Sequence, residues 1–430
     1  MRWFFVLIVA AVVGLLRAVL GPEGVDATAS ALLAFGIVMI GGELSGDMAQ
    51  RFRLPRVTGY LVLGMLLGPS LAGLVTNGDL ATLTVFEELA LGLIALTAGG
   101  ELQLESLARN WRAVLGISGA HVVGIVLLSF GIFWALLGQG LVLGGLPPEA
   151  VMAAALLLGV IAVATSPATT IAIITETGAR GELVDTVLGV TILKDLAILL
   201  LFTWASGLAS ALVKGGELDA RALGALVGEM ALSLGAGLLL GILLGAYLTT
   251  VGLHPEITVL AVVLVSMELA HTLHLEHLLI TMAAGFAARN LFSRAATGFL
   301  HALERSSPPI YVIFFALVGA GLDLGVFRTT WIGVAVVVVV RFGLTWGVTA
   351  AASTAAGASL PVRRWAWMGF VAQAGLSLGL ASRIAREFPG FGSSLAAVIV
   401  GAVVVNQLVG PVLWRHALVA SGEGRAQEVR

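Results

Sequence analysis

The stretch Thr191-Ile192-Leu193-Lys194-Asp195-Leu196-Ala197 decides how this chain is read. A base and an acid stand side by side in a run whose flanks are wholly apolar. Neighbouring residues on a helix point about 100° apart, so the two do not face each other well, and each is expected to meet a different partner. A charge at mid-bilayer costs roughly 2.5 to 3.5 kcal/mol on insertion scales, so the charges that persist there usually face a cavity and do work.

The composition says that the surroundings are lipid. The 430 residues are 59% hydrophobic and only 11% charged, against roughly 25% charged in a soluble protein. A chain this apolar cannot cover itself with polar surface, so the bilayer is its solvent. The net charge of −2 suggests no nucleic-acid partner, and the absence of cysteine removes disulfides and thiolate metal sites. The 55 glycines suit membrane helices whose backbones approach closely.

Outward from residue 194, apolar runs predict an all-α polytopic membrane protein of fourteen spans. They fall near 3–20, 28–49, 57–75, 85–102, 113–138, 150–175, 183–208, 224–249, 257–273, 276–291, 309–325, 331–356, 365–386 and 391–416. The first is a span rather than a signal peptide, since no small-residue cleavage site follows before Gly21-Pro22-Glu23. The loops divide the basic residues fifteen to six between the two sides. That asymmetry puts both termini in the cytoplasm, as for a bacterial inner (plasma) membrane protein. The end of the chain, 417–430, reads as a short polar tail, expected to be disordered.

Other polar residues lie at membrane depth. Arg341, in Val337-Val338-Val339-Val340-Arg341-Phe342-Gly343, is too far from either end of its span to snorkel easily. Glu43 and Glu268 are candidate counter-ions for Lys194 or Arg341, with Glu101 nearer its span's cytoplasmic end. His121 reads as a hydrogen-bonded core histidine. His271, His274 and His277 read as a wet surface rather than a metal site.

Two spans are interrupted. Ala164-Thr165-Ser166-Pro167-Ala168-Thr169-Thr170 breaks one with a proline, whose missing donor and steric clash free backbone carbonyls. Gln373-Ala374-Gly375-Leu376-Ser377-Leu378-Gly379 interrupts the other. Broken helices at corresponding places in two halves point to an inverted-repeat transporter with two crossed discontinuous helices. Asp195 holds a proton or a metal ion, not both, which makes exchange obligatory. Thr165, Ser166 and the carbonyls freed near Pro167 offer oxygen ligands for a hard cation. No nucleophile–base set, nucleotide loop or metal cluster stands at membrane depth, so neither an enzyme nor a cofactor is expected.

These motifs resemble the monovalent cation/proton antiporter superfamily. The match runs from Ala164-Thr165-Ser166-Pro167 through Ile173-Ile174-Thr175-Glu176-Thr177-Gly178 to Leu193-Lys194-Asp195. It includes Leu54-Pro55-Arg56-Val57-Thr58-Gly59-Tyr60, Gly68-Pro69-Ser70, Phe314-Phe315 with Gly319 and Leu322-Asp323, Arg341, and Gln373 to Gly379. The resemblance implies Na+ or K+ exchanged for H+, elevator-type alternating access and a homodimer. It implies a core around 113–208 and 331–416, a dimerisation part around 28–102 and 224–325, and an extra N-terminal helix in 1–27. It makes Asp195 the shared carboxylate, with Lys194, Thr165 and Ser166 beside it. Pro167, Gln373, Gly375 and Ser377 belong to the crossover, and Arg341 is the ion-pairing base. Two departures stand out. Ser166 occupies a place where some members carry an acid, and Lys194 replaces the Asn, Asp or Gln that precedes the essential Asp. With those acids absent, one-for-one electroneutral exchange is expected. An anion or organic-acid carrier using Lys194 and Arg341, and a non-transporting sensor, are the alternatives.

Overall fold

The structure is a computed structural model that describes residues 27–52, 54–214, 220–251, 255–292, 303, 309–322, 326–373 and 375–425. The expected first span at 3–20 lies outside them. Among the described residues every regular element is a helix. In chain order these are α1 (Ala27–Arg51), α2 (Arg56–Leu67), α3 (Asn77–Glu101), α4 (Leu104–Arg109), α5 (Trp111–Gly119), α6 (Val126–Gly138), α7 (Pro148–Ile161), α8 (Pro167–Thr177) and α9 (Glu182–Lys214). They continue with α10 (Ala220–Thr250), α11 (Pro255–Leu273), α12 (His277–Leu291), α13 (Pro309–Ala320), α14 (Val326–Ala355), α15 (Leu360–Gly369), α16 (Gly375–Glu387) and α17 (Gly392–Ser421). A π-turn, Ala120–Ile125, joins α5 to α6.

Seven stretches among the described residues are long and apolar enough to cross a membrane: Ala27–Arg51, Asn77–Gly100, Trp111–Gly138, Glu182–Val213, Val227–Thr250, Thr330–Ala355 and Gly392–Ser421. The remaining apolar helices are shorter. The 12 residues of α2 rise only about 18 Å at 1.5 Å each, because Gly68 and Pro69 stop the helix where the sequence suggested a span to residue 75. Leu232, Leu239 and Leu243 stand exposed along α10, as on a surface meant for lipid rather than water.

The chain divides into two compact units. The first draws on Met1–Glu101 and Leu232–Asp323. Its core gathers Leu93, Leu96, Val263, Met267 and Ala284. Helices α3 and α12 touch backbone to backbone there. A Cβ on Gly99 would lie 1.9 Å from the Met282 carbonyl oxygen, and one on Gly285 would lie 2.2 Å from that of Leu96. Of the histidines in this unit, His271, His274 and His277 do not converge. His271 Nε2 lies 3.3 Å from Glu88, His277 Nε2 lies 3.1 Å from Ser266 Oγ, and His274 takes the left-handed turn between α11 and α12.

The second unit draws on Leu102–Ala231 and Leu324–Ala426. Its core runs through Phe133, Leu157, Leu158, Ile198, Phe202 and Val398. Residues 422–425 close onto this unit, in place of the loose tail expected there. After the left-handed Gly422, Glu423 accepts from the amides of Leu183 at 2.8 Å and Val184 at 3.0 Å, capping α9. Its own carbonyl accepts from Arg180 N at 3.1 Å, and Arg425 N donates to Thr177 O at 3.1 Å. Gly181 admits this strap, since a Cβ there would lie 2.3 Å from the Glu423 carboxyl carbon.

Candidate functional site

The site grows from the two interruptions. Helix α7 ends at Ile161, the chain leaves the helix over residues 162–166, and Pro167 opens α8, where its missing N–H costs nothing. Ser166 is the N-cap: its Oγ accepts from Thr169 N at 3.2 Å and from Thr169 Oγ1 at 2.9 Å. The second interruption lies between Gly369, the end of α15, and Gly375, the start of α16. The two meet directly, with Ser166 N donating to Ala372 O at 2.9 Å.

A broken helix leaves carbonyls unsatisfied and a partial negative charge at each C-terminal end. Arg341 answers both ends at once. Its Nε donates to Ala162 O at 3.1 Å, Nη2 to Ala164 O at 2.7 Å and Phe370 O at 2.9 Å, and Nη1 to Val371 O at 2.7 Å. This corrects the expected ion pair. The guanidinium is 1% exposed and is matched by carbonyl dipoles. Glu43 pairs instead with Arg56 at 2.6 Å, and Glu268 accepts from Thr272 at 3.2 Å. A planar fork of donors suits several carbonyls better than one carboxylate.

Amides tie the junction to α17. Gln373 Nε2 donates to Ile161 O at 3.0 Å, and Gln373 Oε1 accepts from Asn406 Nδ2 at 2.7 Å. Gln407 Nε2 donates to Thr169 Oγ1 at 2.8 Å. Thr165 Oγ1, Ser377 Oγ, Asn406 Oδ1 and Gln407 Oε1 are buried with no protein hydrogen-bond partner. They are hard oxygen atoms contributed by the interruptions and the helix behind them.

Helix α9 brings Lys194 and Asp195 to the same unit. Lys194 is 1% exposed. Its Nζ lies 3.1 Å from His121 Nδ1 and 4.3 Å over the ring of Phe370, in the second interruption. His121 stands on the π-turn, and its Nε2 lies 2.8 Å from Thr349 Oγ1 on α14. Asp195 is partly exposed. The structure therefore gathers Lys194, Thr165, Ser166, Pro167, Gln373 and Arg341 around the interruptions, and places Glu43 and Glu268 in the other unit. His121 was legible only as a core histidine. Asn406 and Gln407 are functional candidates beyond those expected, and two adjacent amides in the middle of an apolar span are their signal in the sequence.

A family model described as sodium/hydrogen exchanger, transmembrane, matches residues 35–419. The chain belongs to the sodium/hydrogen exchanger family. Two solved structures of the sodium proton antiporter MjNhaP1 from Methanocaldococcus jannaschii share this exchanger fold. One has a TM-score of 0.69 at 16% identity over 93% of this chain and 100% of that one. The other has a TM-score of 0.72 at 17% identity over 92% and 98%. Among curated relatives, the Na(+)/H(+)-K(+) antiporter GerN of Bacillus cereus is 28% identical over 170 residues, 39% of this chain and 40% of GerN. The probable Na(+)/H(+) antiporter GerT of the same organism is 25% identical over 169 residues, 39% of this chain and 41% of GerT. The exchanger-family chain thus matches about two-fifths of the length of these relatives.

Proposed function

We propose that this chain exchanges a monovalent cation, Na+ or K+, for H+ across the membrane, with Asp195 as the carboxylate that the two ions share. The observation that carries the reading is the meeting of two interrupted helices at Ser166 and Ala372, their C-terminal ends held by Arg341, in the unit that also carries Asp195. One carboxylate holds either a proton or an alkali ion, so each arrival expels the other ion. Thr165 and Ser377, with buried hydroxyls that no protein group uses, supply oxygen ligands of the kind a hard cation takes.

In this reading the two interrupted helices cross within inverted repeats, and the fold totals fourteen spans. The unit of Leu102–Ala231 and Leu324–Ala426 is the moving core of an elevator. The other unit holds the dimerisation surface of a homodimer. The arginine distribution supports a bacterial inner-membrane location with both termini in the cytoplasm. The anion-carrier alternative loses one of its two bases, because the carbonyls already occupy Arg341.

The test is proton flux in proteoliposomes, followed with a pH dye on adding sodium, potassium or lithium chloride. Cation-dependent dequenching by the native protein, lost in Asp195→Asn, is the expected result, and the active salt names the ion. Normal exchange by Asp195→Asn overturns the role given to that carboxylate. A silent native protein and an active Lys194→Asn variant would turn the reading towards a locked sensor.

A further inference from the structure

Helix α15 opens on Leu360-Pro361-Val362-Arg363-Arg364-Trp365. Leu360 is 74% exposed, and Arg363 and Arg364 behind it are exposed too. A large apolar side chain and two guanidiniums on one open helix end suit neither water nor hydrocarbon. They suit the headgroup layer between the two, where basic and indole side chains collect. The arginines are held in place. Arg363 Nε donates to Ala358 O at 2.6 Å, and the Arg364 guanidinium lies 4.7 Å over the Trp365 ring. Trp365 meets His416 of α17 edge-on, with ring centroids 5.5 Å apart. The first turn of α15 has no side-chain cap, so the positive end of its dipole adds to the same field.

A neighbouring helix repeats the pattern. Helix α5 packs on α14. A Cβ on Gly116 would lie 3.3 Å from that of Ala356, in the turn that leads to α15. Helix α5 starts with Trp111 and Arg112, the guanidinium 5.5 Å over the indole. Leu115, one turn further on, is exposed. Helices α5, α14, α15 and α17 contain no aspartate or glutamate. Among the described residues no carboxylate pairs with Arg112, Arg363 or Arg364. A face of one sign, with apolar side chains standing open beside it, fits a ligand that is anionic at one end and hydrocarbon at the other.

We propose that the start of α15, with His416 beside it and Trp111 and Arg112 of α5 flanking it, seats the headgroup of an acidic phospholipid. The phosphodiester takes paired N–H donors from the guanidiniums, and the acyl chains cover Leu360 and Leu115. Helix α15 is only ten residues long and ends at Gly369, so the lipid grips the element that leads into the second interruption. Lipid binding at this face does not depend on the exchange reading.

The test titrates the purified protein in neutral detergent with phosphatidylglycerol or phosphatidylcholine whose chains carry bromine, a short-range quencher of indole fluorescence. Saturable quenching is expected at lower concentrations of phosphatidylglycerol than of phosphatidylcholine, and Trp365→Phe is expected to lose part of it. Arg364→Gln removes one exposed guanidinium. Half-saturation by phosphatidylglycerol is then expected to rise about fivefold, the worth of one base near an anionic surface, with phosphatidylcholine unaffected. Arg363→Gln repeats the test at the adjacent position, and thermal midpoints show that the variants are folded. Arg386→Gln removes an exposed base on α16 and is expected to change nothing. Equal half-saturation for the two lipids, native binding in Arg364→Gln and Arg363→Gln, or an equal loss in Arg386→Gln overturns the proposal. Displacement of bound phosphatidylglycerol by millimolar inorganic phosphate assigns the site to a free phosphate and overturns it as well.

Discussion

Arg341 donates to the carbonyl oxygen of Ala164 at 2.7 Å across 177 positions of sequence. The same side chain reaches Phe370 and Val371 in the second interruption, so a single guanidinium joins two broken helices that would otherwise expose orphan carbonyls in an apolar interior. This makes Arg341 a fastener first. Arg341→Gln leaves buried carbonyls without donors and is expected to cost about 3 kcal/mol or more. Arg341→Lys recovers little of that, because an ammonium cannot reproduce the fork. The thermal midpoint of the detergent-purified protein measures both. Midpoints within a degree of native would show that the carbonyls find other partners.

Thr165 and Ser377 separate stability from transport. Their hydroxyls have no protein partner, so Thr165→Val and Ser377→Ala strand no donor or acceptor. Their thermal midpoints are expected to stay near native. If the oxygens ligate the transported cation, the cation concentration for half-maximal flux rises on the order of tenfold, the worth of about 1.4 kcal/mol of binding. Unchanged half-maximal concentrations in both variants would remove these hydroxyls from the ion path.

Glu423 gives a pH-dependent prediction with a definite sign. Burial raises its carboxyl above the ordinary value of 4.5, against the two amide bonds from Leu183 and Val184, with Asp185 and Glu182 adding to the rise. A group whose folded value is raised contributes most below the unfolded value, and that contribution is lost as pH rises through the folded one. The stability of the native protein relative to Glu423→Gln should therefore fall as pH climbs from about 4.5. Unfolding midpoints of the two proteins across that range check it, and a difference that grows with pH would reverse the sign.

Some of this was legible in the sequence, for physical reasons. An apolar run of 20 residues has one stable fate in lipid, so α1, α9, α14 and α17 could be placed within a few residues. The proline at 167 marked its own interruption through the donor it lacks. The partners of the buried charges were not legible. An arginine can be balanced by a carboxylate or by several carbonyls, and only the approach of the two helix ends decides between them. The same holds for His121, where periodicity predicts burial but not which nitrogen points at Lys194. The strap was not legible because Glu423 lies in a polar stretch with no pattern of its own.

That strap has a consequence for how the protein is made. The amide of Leu183 waits for a carboxylate encoded 240 positions later. During translation α9, with Lys194 and Asp195, enters the membrane with its first turn open. It becomes capped only when the ribosome has delivered Glu423. Until then the first amides of α9 are left to water. The helix that carries the charged site thus receives its cap only after α17 has been made.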